Sequence, residues 1–157
     1  TWTAVAILSL IGLFNIFGAY YAGIFSDRAQ MSRILVIIYV ARAIVISLFL
    51  ILPKSIVSVL VFSALIGLLW LATVPPTSGL VAKFFGTRYM TYLYGIVFFS
   101  HQVGSFTGVW LGGELYQRFG NYDGVWIAGI LLGFMAALLH FYIDEQSYEY
   151  KISTTIS

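Results

Sequence analysis

An all-α bundle of membrane-spanning helices is predicted by three observations. The 157-residue chain is 61% hydrophobic and 9% charged, its mean hydropathy is +0.95, and its apolar residues fall into five long runs separated by short polar joints. A soluble domain carries about 25% charged residues, so water is not the main solvent of this chain. Each run approaches or exceeds the roughly 20 apolar residues that a bilayer helix needs and far exceeds the roughly ten of a barrel strand. Helices follow, because a backbone in hydrocarbon must satisfy its hydrogen bonds within its own segment.

The first span is predicted at 3–25 and ends in the polar hinge Gly23-Ile24-Phe25-Ser26-Asp27-Arg28. The second, 33–52, begins at Arg33, carries Arg42 inside it, and stops before Pro53. The third, 56–82, is interrupted by Pro75 and Pro76, which lack the N–H of a continuing helix and bend it. Irregular backbone at membrane depth is tolerated only against protein or a watery cavity, so the middle of this span points inward. The fourth, 90–115, holds His101 and Gln102 and then Gly104, Gly108 and Gly112, one face of small residues at which another backbone can approach closely, with Gly113 beside it. The fifth, 123–143, is followed by a polar segment at 144–157, read as a mobile tail. Joints at 26–32, 53–55, 84–89 and 117–122 are short, so consecutive spans are antiparallel neighbours.

Charge orients the bundle. Arg28, Arg33, Lys83 and Arg88 flank the first and third joints, whereas the second and fourth hold only Lys54 and Arg118. Positive charge is retained on the cytoplasmic side, which places the Asp27 hinge and the C-terminus there. Trp2, Tyr20, Tyr21, Tyr89, Tyr92, Tyr116, Tyr122, Trp126 and Tyr142 fall near span ends, where amphipathic rings favour the headgroup layer.

Several function classes are excluded or disfavoured. A net charge of +2 with basic residues scattered singly is not a nucleic-acid footprint. The chain has no cysteine, hence neither disulfides nor thiolate-held metals. No His-Glu-x-x-His, P-loop or Gly-x-Ser-x-Gly occurs, and Ser100 and His101 are adjacent on a helix and diverge by about 100°, which does not make a catalytic pair. No enzyme activity, cofactor or metal is expected.

The polar residues of the spans share a depth. At about 1.5 Å per residue, Asn15 lies roughly 18 Å from the Asp27 end, Arg42 about 14 Å from Arg33, and His101 about 17 Å from Met90. Trp70 and Gln102 fall in the same layer, which predicts a polar cavity near the midplane. An intramembrane arginine costs about 2.5–3.5 kcal/mol on insertion scales and is a functional candidate by default. Arg42 meets an acidic partner outside this chain, an anionic solute, or backbone carbonyls. Histidine changes charge between pH 5 and 8, so His101 is a candidate for proton coupling as well as for binding solute; an interhelical hydrogen bond is the other reading of His101 and Gln102. Glu114 is placed to pair with Arg118 one turn on, and His140 lies near the membrane interface.

The hinge spacing Gly-x-x-x-Asp-Arg-x-x-x-x-Arg resembles the signature of major facilitator superfamily transporters, although Ala29-Gln30-Met31-Ser32 replaces the usual Gly-Arg-Arg-type continuation. Trp70-Leu71-Ala72-Thr73-Val74-Pro75-Pro76-Thr77-Ser78-Gly79-Leu80-Val81, Phe85-Gly86-Thr87-Arg88-Tyr89, Ser100-His101-Gln102-Val103-Gly104 and Gly108-Val109-Trp110-Leu111-Gly112-Gly113 are similar to bacterial monocarboxylate-porter-like members. The resemblance implies a secondary transporter of a small solute, with a monocarboxylate or related organic anion as the solute class, in a bacterial inner membrane. It implies a gating latch of Gly23, Asp27, Arg28, Arg33 and Arg88 that stabilises one face of alternating access. Asp27 can sit at the N-terminus of the fourth span, where a helix dipole favours an anion by about 0.3–1 kcal/mol. In the family the fourth span lines the cavity and the second is peripheral. Such transporters are two six-helix halves built of three-helix repeats. Five spans in a chain opening on Thr1 then correspond to the eighth to twelfth helices, a fragment whose partners are the missing N-terminal helices, membrane lipid and solute. The alternative is a non-transporting membrane subunit or scaffold that packs through its glycine face.

Overall fold

Helix boundaries fall where the local chemistry places them. In the computed structural model, which describes residues 2–145, α1 (Trp2–Ser26) runs through an uninterrupted apolar stretch, and Ser26 Oγ donates back to the Ala22 carbonyl at 2.7 Å as it ends. After the hinge, α2 (Met31–Ile51) continues to Leu52, which is extended at φ −75°, ψ 150° because the residue before a proline is pushed out of the helical region. Ser55 and Ser58 form a reciprocal capping box that starts α3 (Ile56–Trp70). A 3-10 turn at Leu71–Thr73 interrupts the span before α4 (Val74–Phe85), in whose first turn the prolines lose no hydrogen bond.

A second 3-10 turn, Thr87–Tyr89, leads into α5 (Met90–Phe119). Gly120 closes α5 in the left-handed conformation at φ 73°, its N–H donating to the Tyr116 carbonyl at 2.8 Å. The last helix, α6 (Asp123–Phe141), opens on an acidic residue that suits the positive end of its dipole. No strand occurs among the described residues.

Among the described residues four spans are long and apolar enough to cross a membrane: Trp2–Ser26, Met31–Ile51, Ile56–Phe85 and Asp123–Phe141. This departs from the five expected. At 30 residues α5 is long enough, but Ser100, His101, Gln102, Thr107 and its glycines dilute its hydropathy. A helix of that composition is suited to line a polar space rather than to face lipid all round.

The helices associate as two close pairs, α1 with α3 and α2 with α6, joined through contacts of α2 with α3 and α4; α5 touches α4 and α6 only lightly. Small residues set both pairings, because lipid supplies no hydrophobic drive between helices and close packing must. A side chain on Gly18 would run into the Leu68 backbone, and one on Gly67 would come within 2.7 Å of the Ile11 carbonyl oxygen. Gly133 lies against Ala43 and the Tyr39 carbonyl, at 3.3 and 3.5 Å from a Cβ built there. At the other end Phe49, Phe62 and Trp126 cluster, with Phe49 and Phe62 stacked at 4.1 Å between centroids, and tie α2, α3 and α6.

The expected glycine face on α5 is different. Nothing lies within 4 Å of a Cβ on Gly104, Gly108 or Gly113, and Gly112 meets only a Val125 methyl at 3.7 Å. Among the described residues Gly104, Gly108 and Gly113 are uncovered while Gly112 is buried beside α6, and the closest helix approaches fall at Gly18, Gly67 and Gly133. Spacing identified a smooth surface on α5, but the other four spans associate through other faces.

Candidate functional site

Three of the five polar-layer residues meet where the third span is interrupted. The α-helical pattern ends at Trp70 because Pro75 and Pro76 have no N–H to offer the carbonyls four residues earlier. Arg42 crosses from α2 and its Nη2 donates to the Leu69 carbonyl at 2.6 Å and the Trp70 carbonyl at 3.1 Å. Asn15 crosses from α1, its Oδ1 accepting the Leu71 N–H at 3.2 Å. The guanidinium carbon stands 5.5 Å from the Trp70 ring and 5.6 Å from the Tyr39 ring, so the cation also lies against two aromatic faces. Of the three partners open to Arg42 from sequence, the structure shows backbone carbonyls. The Nε of Arg42 is buried without a hydrogen-bond partner among the described residues, and the Trp70 side chain is exposed.

His101 and Gln102 do not join this group. Both lie in the exposed middle of α5, where His101 contacts the Phe98 ring one turn away at 6.0 Å between centroids. They present an exposed polar helix face flanked by Ser100, whose Oγ donates to the Ile96 carbonyl at 3.0 Å. A crevice of about 430 Å³ opens at the start of the same helix, lined by Met90, Thr91, Tyr94, Gly95 and Phe98; it does not include His101 or Gln102.

The latch residues lie at the end of the bundle that bears the first hinge. Asp27, Arg28, Arg33 and Arg88 are exposed, while Gly23 is part-buried with open space where a Cβ would stand. Among the described residues the side chain of Asp27 makes no hydrogen bond or ion pair, and no side chain caps the start of α5. Arg88 lies over the Tyr89 ring at 5.4 Å. Arg33 lines a crevice of about 220 Å³ with Ser32, Tyr142 and Asp144.

On the side of the first hinge, the carboxylate that sits at a helix N-terminus is Glu145. Its Oε1 accepts from both the Ser32 N–H and the Ser32 hydroxyl at 2.7 Å, in the first turn of α2, and its Oε2 accepts from Lys83 Nζ at 3.1 Å, in the last turn of α4. Burial is the largest influence on this carboxyl and pushes its pKa up, but the Ser32 and Lys83 hydrogen bonds together outweigh it and hold the group below its ordinary 4.5. Glu145 is thus buried and bonded rather than part of a mobile tail, and the remainder of that segment lies outside the described residues. The sequence signal was available: an acidic residue just past the last apolar run, on the side where basic residues flank the joints.

Two other assignments concern single helices. Arg118 Nε donates to Glu114 Oε1 at 2.7 Å, an exposed ion pair one turn apart of about 0.3–0.5 kcal/mol. His140 Nδ1 bonds the Ala136 carbonyl at 2.7 Å, and its ring lies 5.2 Å from that of Tyr39 across the α2–α6 contact.

A bundle of long apolar helices, a polar interruption halfway along one of them, and a charged hinge between the first two are the parts of a membrane carrier. No curated protein and no solved structure matches the chain. The sequence model of the Major Facilitator Superfamily matches residues 2–155, nearly the whole chain, and the chain therefore belongs to the Major Facilitator Superfamily, a family of integral membrane transporters.

Proposed function

We propose that this chain is the five-helix portion of a C-terminal half that forms one wall of an alternating-access transporter for a small solute, with a monocarboxylate or related organic anion as the solute class. The observation that carries the reading is α5: a helix of membrane-spanning length whose middle exposes His101 and Gln102 and which the other helices leave largely uncovered. Exposed polar groups at membrane depth are costly unless they face a cavity or further protein. Here they face the solute path, and the open Gly104–Gly108 surface receives the first seven helices of the complete transporter. The basic joints lie in the cytoplasm of a bacterial cell, and with them the C-terminus.

Flux through the complete transporter in sealed lipid vesicles tests this. Uptake of a radiolabelled monocarboxylate that saturates and depends on the protein supports it; vesicles that take up no candidate organic anion return the chain to the scaffold reading. In the same assay, His101→Ala or Gln102→Ala is expected to weaken solute half-saturation by about tenfold, the scale of one lost hydrogen bond, at unchanged membrane level. Full uptake by both variants with every candidate solute would remove these residues from the site.

Asp27 has no partner within the described part of its own chain, so its contact in the latch is with the other half. Asp27→Asn is expected to slow exchange between inward and outward states with near-normal solute affinity, read by comparing equilibrium binding with counterflow. Lost binding with normal counterflow contradicts the latch.

A further inference from the structure

The side chains at the interruption of the third span do more than occupy the polar layer. Leu69 and Trp70 are the last residues of α3, and their carbonyls, at the end of that helix, are both taken by Arg42. Leu71 opens the interruption, and its N–H is taken by Asn15. The carbonyl end of one half-helix and the first amide beyond it are therefore each held by a different neighbouring helix. Further along, Pro75 and Pro76 stand third and fourth after Ala72, so neither a 3-10 nor an α bond can reach the Ala72 carbonyl. Backbone bonding alone leaves this segment under-tied.

Arg42 is poorly placed to receive a solute. Its Nη2 is engaged twice, its Nε is buried, and the Tyr39 and Trp70 rings lie against it. Trp70, in contrast, is exposed at the same level. We propose that Arg42 and Asn15 form a membrane-embedded clamp across the interruption at 71–73, and that Arg42 is a positioning residue which sets the Trp70 indole in the solute path rather than a ligand of the solute. The second clause rests on the transporter reading above; the first does not.

The experiment is amide hydrogen exchange of the complete transporter in lipid, with solute half-saturation measured in parallel, for the parent protein and for Arg42→Met, Arg42→Lys and Asn15→Leu. Methionine keeps the apolar stem and removes the donors; lysine keeps the charge and one point of donation. Exchange over 69–74 is expected to rise about tenfold in Arg42→Met and in Asn15→Leu, the scale of one lost hydrogen bond. Half-saturation rises several-fold in Arg42→Met, and Arg42→Lys recovers part of both changes. Parental exchange in Arg42→Met and Asn15→Leu overturns the clamp. Parental exchange together with abolished solute binding in both Arg42 variants makes Arg42 a ligand instead. Should even the parent move no solute, the transporter reading fails while the exchange rates still decide the clamp; and if Arg42→Met does not reach the membrane, Arg42→Lys and Asn15→Leu carry the same comparison.

Discussion

Gly18→Ala and Gly67→Ala are each expected to destabilise the bundle by about 3 kcal/mol, the upper end of the usual cost of overpacking. A methyl group on Gly18 would stand 2.7 Å from the Leu68 carbonyl carbon, and one on Gly67 would stand 2.8 Å from the Ile11 Cα. The obstacle in both cases is helix backbone, which cannot rotate aside as a side chain can. Relief requires α1 and α3 to separate along their length, and close contact is what holds membrane helices together. Gly104→Ala and Gly108→Ala provide the contrast in the 157-residue chain by itself, since the space beside both is open among the described residues; without the further helices proposed to cover that face, alanine there is neutral or favours the helix by up to about 1 kcal/mol. Thermal unfolding in detergent, with membrane level as a second readout, checks the set. Parental unfolding midpoints in Gly18→Ala and Gly67→Ala would show that α1 and α3 do not meet at these residues.

Glu145→Gln is expected to cost about 1.5–3 kcal/mol at pH 7, the range for hydrogen bonds to a charged group. The carboxylate is buried, at 1% exposure of its side chain, while its Lys83 partner is 24% exposed. Glutamine still offers one oxygen to Ser32, but it removes the negative charge from the start of α2 and turns a neutral amide toward an ammonium group. The pH dependence follows from the direction of the shift. A carboxyl held below its ordinary 4.5 in the folded protein contributes its full stability above that value. The contribution declines as pH falls through the lower folded value. The gap between parent and Glu145→Gln should therefore be widest near neutrality and narrow below about pH 4.5, as the parent loses what the variant never had. Unfolding midpoints of both proteins at pH 7 and pH 4 read this directly; a gap that does not change with pH would mean that Glu145 is not charged in its clasp.

Much of this architecture is legible in the residues themselves. Bilayer thickness sets the length of an apolar run, so both ends of α1, α2 and α6 and the start of α3 fall within a few residues of where hydropathy places them, whereas α3 stops at Trp70 and α4 carries the rest of the third span. Prolines and glycines mark the interruptions for local reasons: Pro53 ends α2, Pro75 and Pro76 interrupt the third span, and Gly120 turns the chain after α5. Depth arithmetic on a helix is also local, and it placed Asn15, Arg42 and Trp70 at one level, where the structure brings them together.

What sequence periodicity does not contain is the identity of the partner face. A repeat of glycine every fourth residue announces a smooth surface, yet Gly104 and Gly108 stand open while Gly18 and Gly67, which belong to no such repeat, meet helix backbone. A lone aspartate in a hinge and a lone glutamate past the last span look alike as charges. Glu145 reaches the start of α2 because α6 packs along α2 and delivers its end there, while Asp27 finds no partner among the described residues. By itself the sequence determined the solvent of this protein, the length and limits of its helices and the depth of its polar groups, since each depends on residues within a turn or two. The tertiary structure alone decided which glycines are contacts, which acid is a clasp and that Arg42 holds carbonyls, because these depend on how helices far apart in the chain are rotated against one another.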